Sequence, residues 1–176
     1  NESNADTYGY LYNWYAVDEG EELYGGICPE GWYVPTDDKY TLLNNYLGGS
    51  SVAGGKMKEC TEGSCPESEY WNSPNTGATN ESGFTAFPGG YRSYYNGNYG
   101  SMGLYGYFWS STESNSSNAW YRRLNYDNSG INRINYDKAY GFSVRCVRDL
   151  SETLSINPEE NDKKTDRKLV TTSGTG

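Results

Sequence analysis

The chain has 176 residues, a net charge of −9 and no His, so imidazole-based catalysis and His metal sites are excluded. One domain with one core fits the length, and the acidic balance argues against nucleic acid as a partner. Apolar content is only 35%, but 19 Tyr and 5 Trp are present, so aromatic rings must carry much of the burial while their polar atoms find partners. The 22 Gly point to many loops and tight turns. No apolar run approaches the roughly 18 residues of a membrane span. No signal peptide opens the sequence and it does not begin with Met, which reads as a mature or trimmed piece of something larger.

Charge is unevenly spread. Residues 1–81 hold 14 acids and 3 bases, residues 82–150 hold 4 acids and 7 bases, and every Arg lies from Arg92 onward. Such asymmetry would favour head-to-tail association, and a solvated surface explains it equally well.

In chain order, residues 1–7 read as a polar lead-in. Tyr8 to Val17 is aromatic on both faces and predicts a buried first strand; Asp18 to Glu22 is an acidic loop. Thr36 is a good N-cap, Asp37 and Asp38 suit a first helical turn, Tyr40, Leu43 and Leu47 follow at helical spacing, and Gly48 sits where a helix-ending glycine belongs. Ser51 to Lys58 predicts a second, short helix weakened by Gly54 and Gly55. From Cys60 to Tyr105 the chain reads almost entirely as loop, with Phe84 and Phe87 as anchors; a loop this long is either functional or conceals missed elements.

The stretch from Tyr105 to Val147 carries four strand-like runs: Phe108–Ser110, Ala119–Tyr126, Ile131–Tyr136 and Gly141–Val147. Asp127-Asn128-Ser129-Gly130 has the chemistry of a hairpin turn. In the last run Phe142, Val144 and Cys146 alternate with Ser143, Arg145 and Val147, so one face can be buried. From Leu150 the composition shifts. Residues 150–176 lack aromatics, alternate in charge and cannot bury a core of their own. They are expected to form an extended tail after a domain of residues 1–149. Leu169 to Thr172 could add a strand to a neighbouring copy, giving head-to-tail self-association.

Four Cys in a loop-rich chain suggest disulfides and an oxidising compartment, although free thiols would also satisfy the count. Three pairings exist. Cys60 and Cys65 are close enough to close a small loop, and Cys28 and Cys146 would then join the start of the domain to its end.

The segments YLYNWYAV, GICPEGWYVPTDDKYTLLNNYLGG, GGKMKE, WNSPNTGATNESGFTAFPGGYR, YGYFWSSTES and YGFSVRCVRD, in this order, closely resemble the Fibrobacter succinogenes major paralogous domain family. The resemblance spans Tyr8 to Asp149. It implies secreted or surface-attached bacterial proteins without an established activity. Through GWYVPTDDKY and GFSVRCV it also implies a relation to C-type lectin-like and formylglycine-generating-enzyme-like folds. The expected fold class is therefore α+β: a C-type lectin-like mixed domain with one main helix, small antiparallel sheets and long irregular loops.

CTEGSC has the two-Cys spacing of formylglycine-generating enzymes, but it follows the helix instead of lying near the C-terminal strand, so a structural disulfide is the better reading. No cofactor is expected. Calcium through Asp and Glu stays open without a motif to support it, because WNSPN is only superficially similar to lectin calcium motifs. Asp37-Asp38 is better explained by a helix start than by glycoside hydrolysis. The remaining signal is the Tyr/Asn/Ser/Gly mixture from Tyr91 to Tyr140, a composition that suits adaptable recognition. If Trp120 and Leu124 face the core, Tyr121, Arg123 and Asn125 face outward, with Asn132 and Ile134 opposite. The candidate ligand-binding residues are therefore Tyr94, Tyr95, Asn96, Tyr99, Tyr121, Arg123, Asn125, Asn132 and Ile134. The expected function is a non-enzymatic binding or adhesion module for glycan or protein, secreted or at the cell surface. The alternative is a structural subunit of an extracellular filament.

Overall fold

The computed structural model describes residues 2–17 and 26–148. The tail and the acidic loop at Asp18–Glu22 lie outside them, so the expected self-association through residues 150–176 has no structural counterpart here.

The main helix forms where expected. Helix α2 spans Asp37–Tyr46, with α1 at Glu2–Tyr8 and α3 at Ala53–Met57. The Thr36 side chain accepts the Lys39 N–H, and Asp37 and Asp38 occupy the first turn of α2. At its end Gly49 N–H donates to Asn44 O and Gly48 N–H to Asn45 O, with Gly48 at φ +103°. This is the paired closure that needs a left-handed residue just past the helix. Tyr40 and Leu47 are buried and Leu43 packs beside them.

Strands β3 (Tyr105–Glu113), β4 (Asn118–Asn125) and β5 (Ile131–Asp137) form an antiparallel sheet with β4 in the centre. A smaller pair, β1 (Tyr91–Arg92) and β2 (Tyr99–Gly100), lies apart from it. The register places Phe108 opposite Arg122 opposite Arg133 on one face, and Trp109 opposite Tyr121 opposite Ile134 on the other. Each face has its own core. One gathers Tyr40, Leu47, Met57, Trp71, Phe108, Leu124 and Ile131; the other gathers Trp14, Val34, Trp109, Ala119, Tyr121 and Phe142. β4 is thus covered on both sides, and the assumption of one wet face fails there.

Two expected strands are absent. Tyr8–Val17 contains the end of α1, a 3₁₀ turn at Trp14–Ala16 and a single bridge from Tyr12 to Phe142. Only part of it is buried: Trp14 is enclosed, with its Nε1–H donating to Ser110 O, while Tyr10 and Tyr15 are exposed. Gly141–Val147 makes isolated bridges in place of a strand, from Gly141 to Arg92, Phe142 to Tyr12, Ser143 to Phe108 and Val147 to Tyr33. It threads between the first residues of the domain and β3, bringing chain ends together. The disulfide Cys28–Cys146 closes this junction with Cα atoms 5.8 Å apart, and Cys60–Cys65 closes the small loop. Both expected pairs are present.

The irregular region from Cys60 to Tyr105 has only the two-residue strands β1 and β2, and buried polar groups pin it. Trp71 Nε1–H donates to Ala86 O, and Asn75 Nδ2 donates to Glu59 O and Pro66 O. The fully buried Lys58 Nζ donates to three carbonyls, Thr76 O, Asn125 O and Asn128 O, at 2.9, 2.9 and 3.1 Å. The ammonium has three hydrogens and each finds an acceptor. Gly54 and Gly55 do not merely weaken α3. A Cβ on Gly54 would lie 2.0 Å from Gly130 O, and one on Gly55 would lie 2.2 Å from Gly77 O. These glycines let α3 touch the β4–β5 turn and the long loop.

Candidate binding surface

The turn between β1 and β2 is built to present side chains. Ser93 N–H donates to Asn98 O, Gly97 N–H to Ser93 O, and Asn98 N–H to the Asn96 side-chain oxygen. Asn96 therefore shapes the turn with one end of its amide. Tyr94 and Tyr95 project from this turn as a stacked pair with ring centres 4.0 Å apart. Tyr140 meets Tyr94 edge-on at 5.3 Å, and Tyr136 meets Tyr140 at 4.7 Å. The second turn is held by the Asp137 carboxylate, which accepts the Ala139 N–H, and by Lys138, which pairs with Glu113 and lies 4.4 Å from the Trp14 ring centre.

Two segments remote in sequence, the β1–β2 turn and the end of β5 with the turn after it, thus form one aromatic platform. Tyr95 is 76% exposed, Tyr136 44% and Tyr94 38%, so water covers rings that already lie in contact. The Tyr94 phenol is pushed above its ordinary value by a hydrogen bond with Tyr95, by burial and by the Asp137 carboxylate. Tyr136 is raised likewise, chiefly by its hydrogen bond with Tyr140. The hydroxyls stay neutral in neutral water, able to donate as well as accept.

The other expected residues separate. Tyr99 is exposed on β2, where it lines a groove of about 570 Å³ with Tyr8, Tyr10 and Met102. Arg123 lies 5.5 Å from the Tyr105 ring centre, its Nη2 3.5 Å from Asn132 Oδ1. Arg123 Nε and Asn125 Oδ1 are buried without a partner among the described residues. Asn132 is exposed. Tyr121 does not face outward. It is buried among Tyr107, Trp109 and Phe142, and burial pushes its phenol up to about 12. Ile134 is half-buried against the same core. Both assignments fail because Phe142 and its neighbours cover the face that was expected to be wet.

Sequence reasoning missed Tyr136 and Tyr140. Tyr136 was within reach, since alternation that turns Asn132 outward also turns Tyr136 to that side. Tyr140 lies beyond the turn, where strand periodicity says nothing.

The opposite face carries a charged constellation. Arg122, buried in β4, donates through Nη1 to Asp37 Oδ1, and through Nη2 to Asp37 O at 2.9 Å and Thr41 Oγ1 at 3.0 Å. Arg133 Nε donates to Asp37 Oδ2 at 2.8 Å, and its guanidinium carbon stands 3.4 Å from the Trp120 ring centre. Asp37 is thus both helix start and ion-pair centre. Among the described residues, no group of three or more His, Cys, Asp or Glu is placed to hold a metal ion, and no helix is long and apolar enough to cross a membrane.

Residues 1–148 match the Fibrobacter succinogenes major domain. The chain belongs to that family. The match takes in α2, both sheets, both disulfides and the tyrosine platform. Neither a curated protein nor a solved structure matches this Fibrobacter succinogenes major domain chain. Its architecture is mixed α+β, with few helices and small antiparallel sheets.

Proposed function

We propose that this domain is a secreted or cell-surface, non-enzymatic binding module that takes a glycan or protein ligand on the platform of Tyr94, Tyr95, Tyr136 and Tyr140. The observation carrying this reading is the contact of four tyrosines, two from the β1–β2 turn and two from the end of β5 and the turn after it, three of them substantially exposed. Exposed aromatic area costs free energy in water, and a ligand that covers it recovers that cost. Flat rings suit the apolar faces of sugars, and their hydroxyls supply hydrogen bonds at the edge. Glycan is the first class to test. The two disulfides are compatible with an oxidising compartment. The absence of His and the structural engagement of Lys58 with three backbone carbonyls and of Arg122 with Asp37 support a binding role over catalysis. The closure of the chain ends by Cys28–Cys146 and the Tyr12–Phe142 bridge supports a lectin-like relationship as part of the same proposal.

A glycan array on the intact chain, followed by titration of the best hit, tests the reading. Tyr95→Ala and Tyr136→Ala should each weaken binding by about tenfold, since aromatic anchors dominate small interfaces. Both are exposed, so the fold should survive. Undiminished affinity in the double variant would rule the platform out.

A further inference from the structure

On the far side of the sheet a groove of about 360 Å³ opens between α2 and the β4–β5 pair, lined in part by Thr41, Asn44, Arg122, Asn132 and Arg133. We propose that this groove binds a carboxylate-bearing saccharide, its acid group held by Arg133. The proposal rests on the reading of the domain as a glycan-binding module and names a second, chemically distinct subsite.

Three observations carry it. Charge is out of balance: two guanidinium groups share the single Asp37 carboxylate, leaving one positive charge in excess, and no acid lines the groove. Arg122 is buried with three of its N–H bonds committed to Asp37 and Thr41, so the surplus is presented by Arg133, whose side chain is 47% exposed.

Arg133 is also pre-organised. Trp120 supports its plane from one side and Asp37 holds Nε. Among the described residues, neither terminal nitrogen has an acceptor, which leaves a fork of N–H bonds on a half-exposed side chain. A fork fixed in this way matches the two oxygens of a carboxylate and loses little freedom on binding it.

The third observation is the rest of the lining. Thr41, Asn44 and Ser50 are uncharged polar residues at the groove wall. Such a wall suits a ligand that carries hydroxyls beside its acid group. An anion that also carries hydroxyls meets all three requirements, as an acidic sugar does. A nucleic acid or other dense polyanion is disfavoured by the overall charge of −9.

The test is a calorimetric titration of the intact chain with an oligogalacturonate, its methyl ester and a sulfated neutral oligosaccharide of the same length. The free acid should bind and the ester should not. Arg133→Gln should weaken binding by at least about tenfold, and Arg133→Lys should recover little of it because an ammonium keeps the charge but not the fork. Asn44→Ala should weaken it by a smaller factor. Thermal melts of each variant check the fold, and the exposed Arg133 makes survival the expectation. Absence of acid binding, equal binding of the ester or tighter binding of the sulfate would overturn the proposal, as would an unchanged Arg133→Gln. A neutral glycan still held by the tyrosine platform would show that the broader reading stands when this one falls.

Discussion

Replacing Asp37 with Asn keeps the shape of the side chain and removes its charge. Two arginines feel the change, and the structure separates their shares. Arg133 is 47% exposed, so water screens its pair with Asp37 and the loss is at most about 1 kcal/mol. Arg122 is only 3% exposed, and its charge would be left buried and uncompensated at a cost of about 3–5 kcal/mol. The first turn of α2 also loses an acid, worth roughly 0.3–1 kcal/mol. The sum is about 3–7 kcal/mol, which for a chain of this length lowers Tm by roughly 6–28 °C. Circular dichroism melts and urea titrations with the disulfides intact read both quantities. Adding Arg122→Met removes the stranded charge, whose guanidinium lies over Tyr40, and keeps most of the apolar stem. The double variant should therefore be more stable than Asp37→Asn alone, with a coupling on the order of 2 kcal/mol or more. A loss below about 1 kcal/mol for Asp37→Asn, or simple additivity in the double, would refute this account of the pair.

Removing the disulfides should give unequal losses. Cys28→Ser with Cys146→Ser opens a separation of 118 residues and should cost about 5 kcal/mol, against about 2 kcal/mol for the separation of 5 between Cys60 and Cys65. Equal losses in urea titration would contradict the loop-length argument. Gly54→Ala improves helix propensity by up to about 1 kcal/mol but drives a Cβ into Gly130 O, so net destabilisation of about 2 kcal/mol or more is expected in thermal melts; a stabilised variant would show that the contact yields. Burial pushes the Lys58 ammonium down to about 8, with the Asp127 carboxylate acting against it. Between pH 8 and the ordinary lysine value the unfolded chain holds a proton that the folded chain lacks. Stability should therefore rise with pH from 8 to about 9.5, by up to about 1.4 kcal/mol per unit, before tyrosine ionisation intervenes. Urea titrations across that window should show the slope in the parent and not in Lys58→Met; a flat parent profile would mean that the carbonyl cage offsets the desolvation.

What could be read from the sequence was whatever is decided locally. Thr36, the Tyr40–Leu43–Leu47 spacing and Gly48 specify α2 within thirteen residues, and Asp127–Gly130 specifies the turn between β4 and β5. The Cys60–Cys65 loop was accessible in the same way, Cys28–Cys146 followed once that pair was set aside, and the coarse mixed class came from the family resemblance. Burial across the chain was not. Arg122 looks like a surface residue until Asp37, 85 positions away, neutralises it inside the fold. Once Arg122 is inside, Tyr121 cannot be outside by alternation, because β4 has no free face. Tyr8–Val17 misleads for a related reason. Its rings are buried unevenly, through a 3₁₀ turn and one bridge, and aromatic content alone does not reveal whether a backbone is extended. The tyrosine platform was half visible: Tyr94 and Tyr95 declare themselves by composition, and Tyr140 reaches them only through the tertiary fold.

The covalent junction at Cys28 and Cys146 has a mechanical consequence. Tension applied to the two ends of the domain enters at residue 28, crosses the sulfur–sulfur bond and leaves at residue 146. The sheet, α2 and both turns of the tyrosine platform lie on the enclosed segment, off the covalent path of that load, and feel it through non-covalent contacts such as the Tyr12–Phe142 bridge and the Trp14 N–H bond to Lys138 O. Stretched out, the segment would represent about 400 Å of contour at roughly 3.5 Å per residue. While the bond is intact that length stays locked away. A domain wired in this manner could be pulled at its ends, by flow or by an attached surface, with its recognition loops kept in their resting geometry.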